Sequence, residues 1–227
     1  MFGSILSFWK GKAFLSQILE DFGTMLNSSL EMFRSCYERI ADNKIEPGLQ
    51  ERIYKLDREI NEHERHIRKR IIMHLSIQGN VDMPMCLIMM SVVKDAERIG
   101  DYAKNIFEVS QMLNKPLDKA IFNDLFGDIE PKLRKGFLET KKAFVESDKN
   151  MAKEILKVER DVVLHCDATI EKLAKSSYDT NLAVCLTLLA RYFKRIAAHL
   201  ANISSSVILP IQDLDFFNEK FRRNEIK

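Results

Sequence analysis

Apolar residues between Ala13 and Ala41 recur at intervals of three and four: Leu15, Ile18, Leu19, Phe22, Leu26, Leu30 and Phe33. That spacing is the 3.6-residue period of an amphipathic helix with one face turned towards a core. The same period returns in Ile53, Leu56, Ile60, Ile67 and Ile71. Helix breakers stay out of these stretches. The 227 residues include 8 glycines and 5 prolines, the residue types that cost most in a helix interior, about 1 and 3 kcal/mol relative to alanine. Pro47, Pro84, Pro116, Pro131 and Pro210 all fall where a connection or a first helical turn accommodates them. Turn signals then divide the chain into six long helices, over about 13–41, 50–75, 83–113, 128 or 131 to 145, 151–175 and 180–208. The predicted fold class is all-α.

These helices repeat in threes. Adding 97 carries Arg98, Ile99, Asn105 and Ile106 onto Arg195, Ile196, Asn202 and Ile203. Adding 102 carries Lys55-Leu-Asp-Arg-Glu-Ile60 onto Lys157-Val-Glu-Arg-Asp-Val162. Two matches in the same order point to an internal duplication of roughly 100 residues, too long a unit for an ordinary solenoid repeat. The expected organisation is therefore two pseudo-repeated antiparallel three-helix bundles, residues 1–116 and residues 117–227.

Composition excludes several function classes. The 35 basic and 33 acidic residues lack the basic excess with which nucleic-acid binders neutralise phosphates. Cys36, Cys86, Cys166 and Cys185 form no CxxC pair and lie in apolar helical stretches, as expected of small buried hydrophobes in a reducing, cytoplasmic compartment. No segment approaches the ~20 apolar residues of a membrane span. The first ten residues have no basic stretch ahead of Phe2, Ile5, Phe8 and Trp9, so a signal peptide is not expected. These apolar residues are expected to pack on the chain's own bundle, the alternative being a neighbouring molecule or a membrane surface. Phe216, Phe217 and Phe221 stand among charges in the tail and suit a final short helix or a partner-binding segment.

Chemistry-bearing residues gather on the second and third predicted helices. Glu97, Asp101 and Asn105 follow one another at four-residue intervals, and Asp57 and Asn61 share that spacing, with Glu64 a turn further on. Residues four apart lie on one helix face. Antiparallel packing would bring the two rows together, and such oxygen donors suit a hard cation such as Mg²⁺, Mn²⁺ or ferric iron. From spacing alone the simpler reading is a solvated, salt-bridged face, since Lys94, Arg98, Lys104 and Glu108 supply helical partners.

The string Glu97-Arg98-Ile99-Gly100-Asp101-Tyr102-Ala103-x-Asn105-Ile106 closely resembles the signature of the PhoU family of phosphate-uptake regulators. Asp57-x-x-Ile60-Asn61 resembles that family's companion helix, and the duplicated six-helix layout extends the resemblance over almost the whole chain. The resemblance implies metal ions, often multinuclear iron or divalent clusters, with magnesium, manganese and zinc also admissible. The implied ligands are Glu97, Asp101, Asp57 and Asn61, with Glu64 a less certain addition. Gly100, with no Cβ, would let the neighbouring helix approach closely. Arg98 would bridge the acidic row or form an ordinary ion pair.

The second repeat departs from the pattern. Its counterpart reads Lys194-Arg195-Ile196-Ala197-Ala198-His199, and Val163 replaces the second acid beside Glu159. A lysine opposes a cation, and alanine and valine cannot ligate. Only the first bundle is therefore expected to bind metal. Histidine offers a rival, because His63 and His66 lie near Glu62 and Glu64. Ferritin-like di-iron sites, however, place Glu three residues before His, and none of the five histidines has that spacing. His63 and His66 are expected on an exposed charged face.

No Gly-rich phosphate loop, GxSxG elbow or paired CxxC is present. The expectation is a non-enzymatic regulator. By resemblance its partners are the ATPase of a phosphate ABC transporter and a phosphate-sensing histidine kinase, with peripheral association with a membrane complex and homodimerisation both admissible. The alternative is a structural helical adaptor or dimerisation module without bound metal.

Overall fold

The computed structural model describes residues 13–80, 82–214 and 216. Phe2, Ile5, Phe8, Trp9, Phe217 and Phe221, assigned roles from sequence, lie outside the described residues. Seven α-helices run through the described part: α1 (Ala13–Ala41), α2 (Leu49–Gln78), α3 (Met83–Met112), α4 (Lys119–Phe126), α5 (Ile129–Glu146), α6 (Lys149–Ala174) and α7 (Thr180–Ile208), followed by a 3-10 turn at Ile211–Asp213. The sequence predicts six helices. The addition is α4, eight residues long and short enough to read as a loop. Its start is set by Asp118, whose carboxylate accepts from the amides of Ala120 and Ile121.

Aspartate opens two of the later helices in the same way. Asp148 accepts from Asn150 and Met151, and Asp179 from Leu182, satisfying first-turn N–H groups that have no partner within the helix. Asp82 precedes Pro84 and α3 but does not cap. Its side chain turns to α2, where His74 Nε2 donates to it at 2.7 Å. Gly79 ends α2 with φ 64°, a left-handed conformation that favours glycine, and its N–H returns to Leu75 O.

α1, α2 and α3 pack on one another, as do α5, α6 and α7; α3 also lies along α7, and α1 touches α5. The predicted stripes point inwards. Leu15, Ile18, Phe22, Leu26 and Phe33 of α1 and Ile53, Ile60, Ile67 and Ile71 of α2 are all buried. A single core cluster runs through both helix triplets. Its aromatic centre joins them: Phe33 of α1 lies 5.8 Å from Phe137 of α5 and 6.2 Å from Phe193 of α7, centroid to centroid. Phe22 and Phe144 meet at 5.0 Å. α4 inserts Phe122, Leu125 and Phe126 into this core, with Phe126 at 5.3 Å from Phe193.

Contacts across the α3–α7 seam can be set against the sequence match at a shift of 97. Asp95 accepts from His199 Nδ1 at 2.7 Å and from Asn202 Nδ2 at 3.0 Å. Under the shift of 97, Asp95 corresponds to Tyr192 and Tyr102 to His199, so the mirrored contact is Tyr192 with Tyr102. Those rings do meet, at 5.9 Å, and Tyr102 also stacks on His199 at 5.6 Å.

The four cysteines are buried free thiols. Burial pushes the Cys36 thiol up, and Cys166 reaches about 12, so neither presents a thiolate nucleophile or ligand at neutral pH. Among the described residues no helix is long and apolar enough to cross a membrane.

Candidate functional site

The site is built by the antiparallel pairing of α2 and α3. A ladder of contacts descends α2 as it ascends α3. Gln111 donates to Gln50, Tyr54 to Glu108 and Lys104 to Asp57. Further down, Lys94 approaches Glu64 and His74 meets Asp82. The rows of oxygen donors therefore face one another. Gly100 permits the closeness: a Cβ there would stand 2.9 Å from Ile60 Cδ1 on the facing helix. Ile60 and Ile99 lie in the core beneath, which turns Asp57, Asn61 and Asp101 to the seam's outer edge, while Glu97 stays buried.

Two pairs of acids result, each joined by one lysine. Lys104 Nζ donates to Asp57 Oδ1 at 2.8 Å and to Asp101 Oδ1 at 3.2 Å. Lys94 Nζ lies 2.7 Å from Glu97 Oε2 and 3.9 Å from Glu64 Oε1. Arg68 Nη2 approaches Glu64 Oε1 to 2.8 Å. Arg98 stays looser, at 4.0 Å from Glu97 and 3.7 Å from Asp101, with half its side chain exposed. Burial disfavours the Lys104 charge, but hydrogen bonds and attraction from Asp57 and Asp101 outweigh it and hold this ammonium above its ordinary pKa.

The solvated face expected from spacing alone needs correcting. Glu64 is 7% exposed and Glu97 9%. The close approaches to Glu64 Oε1 and Glu97 Oε2 are poorly aligned, and both buried oxygens lack a properly directed hydrogen-bond donor. An anionic oxygen in that condition favours a nearby cation strongly. Asn61 and Asn105 are half-buried on the same two helices. The donors are all hard oxygens, the donor type that Mg²⁺, Mn²⁺ or ferric iron takes. In the present arrangement the positive charge comes from lysine and arginine. Among the described residues no three His, Cys, Asp or Glu side chains converge tightly enough to hold a metal ion.

His63 is also corrected. It is half-buried rather than on an open charged face, with Nδ1 3.2 Å from Asp21 Oδ1 of α1, while Arg70 reaches the other Asp21 oxygen at 3.1 Å. Only His66 is exposed as expected. Asp21 stands 42 residues before His63 in the chain, so nothing in the local pattern paired them.

The equivalent place in the second helix triplet is different. Lys194 holds both oxygens of Asp167, at 2.6 and 2.8 Å. Glu159, the counterpart of Asp57, is 5% exposed. Burial raises its pKa to about 7, against the opposing pull of Lys194 and Arg160. Ala198 and Val163 bring no donor atoms.

Comparison with known proteins agrees with this architecture. A family model described as the PhoU domain matches residues 22–110 and 132–207. A phosphate-specific transport system accessory protein PhoU homolog from Synechocystis sp. is 26% identical over 186 residues, covering 78% of this chain and 80% of that protein. PhoU homolog 1 from Thermotoga maritima is 27% identical over 206 residues, 87% and 84% of the respective chains. In fold, the chain is similar to crystal structures of PhoU from Pseudomonas aeruginosa, with TM-score 0.74, 19% identity and coverage of 86% and 96%. The phosphate transport system regulatory protein PhoU from Streptococcus pneumoniae also gives TM-score 0.74, with 17% identity and coverage of 86% and 93%. With the family model spanning both helix triplets and the motif residues seated where α2 meets α3, this chain belongs to the PhoU family.

Proposed function

We propose that this chain is a non-enzymatic regulator of phosphate uptake and phosphate-responsive signalling. It would act in the cytoplasm through contacts with the ATPase of a phosphate ABC transporter and with a sensor histidine kinase. Family membership supports this reading, as do the relatives from Synechocystis and Thermotoga described as phosphate-specific transport accessory proteins. The observation that carries it is the acidic seam, where the family motif on α3 faces the companion motif on α2 through Lys104. Affinity purification of the tagged full-length protein from its own cells tests the partners. Recovery of the transporter ATPase and the kinase is expected, and recovery of neither refutes the contacts.

In this reading Asp57, Asn61, Glu97 and Asp101 hold a metal cation, with Glu64 supporting them from the buried side. The cation would neutralise the carboxylates and cross-link α2 to α3. Only the first helix triplet would bind it, because Lys194, Ala198 and Val163 replace the acidic set in the second. Metal analysis of the purified protein is expected to find bound metal that is lost in the double variant Glu97→Ala/Asp101→Ala. Equal metal content in the two proteins defeats the assignment.

A helical adaptor or dimerisation module without metal is the second reading. It is favoured by one observation, that each carboxylate already has a lysine or arginine within 4 Å. It predicts no metal in either protein and unchanged partner recovery when Asp57 and Asn61 are replaced by alanine.

A further inference from the structure

Large apolar side chains left in water are ordinarily scattered singly over a surface. Here they gather. Of the twelve that are exposed among the described residues, seven stand at one end of the molecule. Ile72, Met73 and Ile77 occupy the last two turns of α2, and Met83 and Leu87 the first two of α3, on either side of the turn at Gly79. α7 runs antiparallel to α3, since Asp95 meets His199 and Asn202 while Tyr102 meets Tyr192. Its C-terminal end therefore lies beside the first turns of α3, and the turn at Ile211–Asp213 contacts that helix. That end adds exposed Ile211 and Phe216.

The charge beside this patch is one-sided. From Arg65 to Val93 the sequence holds four lysines and arginines, at 65, 68, 69 and 70, against one acid, Asp82. That acid is 2% exposed and bound to His74. Arg68 and Arg70 pair with Glu64 and Asp21, while Arg65 and Lys69 are exposed. The turn after α7 adds a single acid, half-buried Asp213. The chain also enters α1 at this end, where Phe14 stacks on His74 at 3.9 Å; residues 1–12 ahead of it include two lysines and no acid. At 1.5 Å per residue, the exposed apolar residues of α2 lie within about 9 Å of its C-terminal end and the basic ones about 12–20 Å from it. An apolar tip beneath a cationic band is the order in which a protein meets an anionic bilayer. Apolar groups enter the interface by roughly 5–10 Å, and lysine and arginine meet the headgroup phosphates.

We propose that this end of the bundle docks directly on an anionic lipid surface. Ile72, Met73, Ile77, Met83 and Leu87 enter the interface, and Arg65 and Lys69 lie against the lipid phosphates. Among the described residues no helix is long and apolar enough to cross a membrane, so the contact is peripheral. It stands the α2–α3 pair on the bilayer and holds the seam around Lys104 above the surface, open to another protein. Lipid itself is the ligand. The contact requires neither a metal in the seam nor the transporter and kinase contacts proposed above.

The test floats purified full-length protein on a density gradient with vesicles of phosphatidylcholine alone or of phosphatidylcholine mixed with phosphatidylglycerol, at low and high salt. Two double variants change only exposed side chains, Met73→Ser/Ile77→Ser and Arg65→Gln/Lys69→Gln, and circular dichroism checks their folding. Wild type is expected to float with the phosphatidylglycerol vesicles only, and less at high salt. Each variant is expected to bind these vesicles at least about tenfold more weakly. Wild type that binds neither vesicle, or both equally, overturns the proposal. So does a folded variant that binds as wild type does, because the lipid contact then lies elsewhere in the chain. Light scattering without vesicles is expected to give one mass for all three proteins. A wild-type dimer that Met73→Ser/Ile77→Ser converts to monomer assigns the patch to a second copy of the chain and overturns the lipid contact. Should one variant fail to fold, the other decides.

Discussion

Glu159 shows how one inherited residue changes character when its surroundings change. Its counterpart Asp57 is paired with Lys104, whereas Glu159 is buried without such a bond and its pKa rises to about 7. The folded chain therefore keeps a proton that the unfolded chain releases above its ordinary value of 4.5. Stability from this group is present at low pH and falls as pH rises from about 4.5 through about 7. Replacing Glu159 with Gln removes that dependence. Urea denaturation at pH 5 and pH 8 is expected to show Glu159→Gln stabilised on the order of 2–3 kcal/mol at pH 8 and little changed at pH 5. Equal pH dependence in variant and wild type defeats the assignment.

At the scale of elements, two aspartates preceding helices do different work. Asp148 caps α6 through two amides, so Asp148→Ala is expected to cost about 1 kcal/mol. Asp82 has the same sequence setting ahead of α3 but is 2% exposed and bound to His74. Asp82→Ala leaves the largely enclosed His74 without this acceptor, and about 2–3 kcal/mol is expected. Thermal melts of the two variants side by side check the ordering, and a larger loss for Asp148→Ala contradicts it. Both aspartates read alike in sequence because the signal is local, while His74 reaches Asp82 only after α2 and α3 have folded together. α4 escapes the sequence reading for a related reason. Phe122, Leu125 and Phe126 have helical spacing after the Asp118 cap, but eight residues give too few periods to stand out from a loop. Only their fit against Tyr37 and Phe193 shows the role.

Over the whole molecule, the two helix triplets share one apolar core and are joined by a polar contact at Asp95. Removing Asp95 leaves His199 and Asn202 without their shared acceptor. The expected loss is about 2–3 kcal/mol. Because the core is continuous, differential scanning calorimetry is expected to show one cooperative transition for wild type and for Asp95→Ala, the latter at lower temperature. Two resolved transitions in wild type contradict a single folding unit.

The sequence by itself determined the all-α class, the helix boundaries at Ala13–Ala41 and Thr180–Ile208, and the inward stripes. It also carries the internal matches at shifts of 97 and 102 and the Glu97–Asp101 motif. These are local or periodic signals, carried by side chains at fixed spacing along one helix. Tertiary structure decided what those residues face. It placed Asp57 and Asp101 on one lysine, withdrew Glu64 and Glu97 from water, tied His63 to Asp21 and bound Asp95 to His199. Each of those outcomes depends on which helix packs against which, and at what height. Helical periodicity fixes the direction of a face but does not specify the partner that covers it.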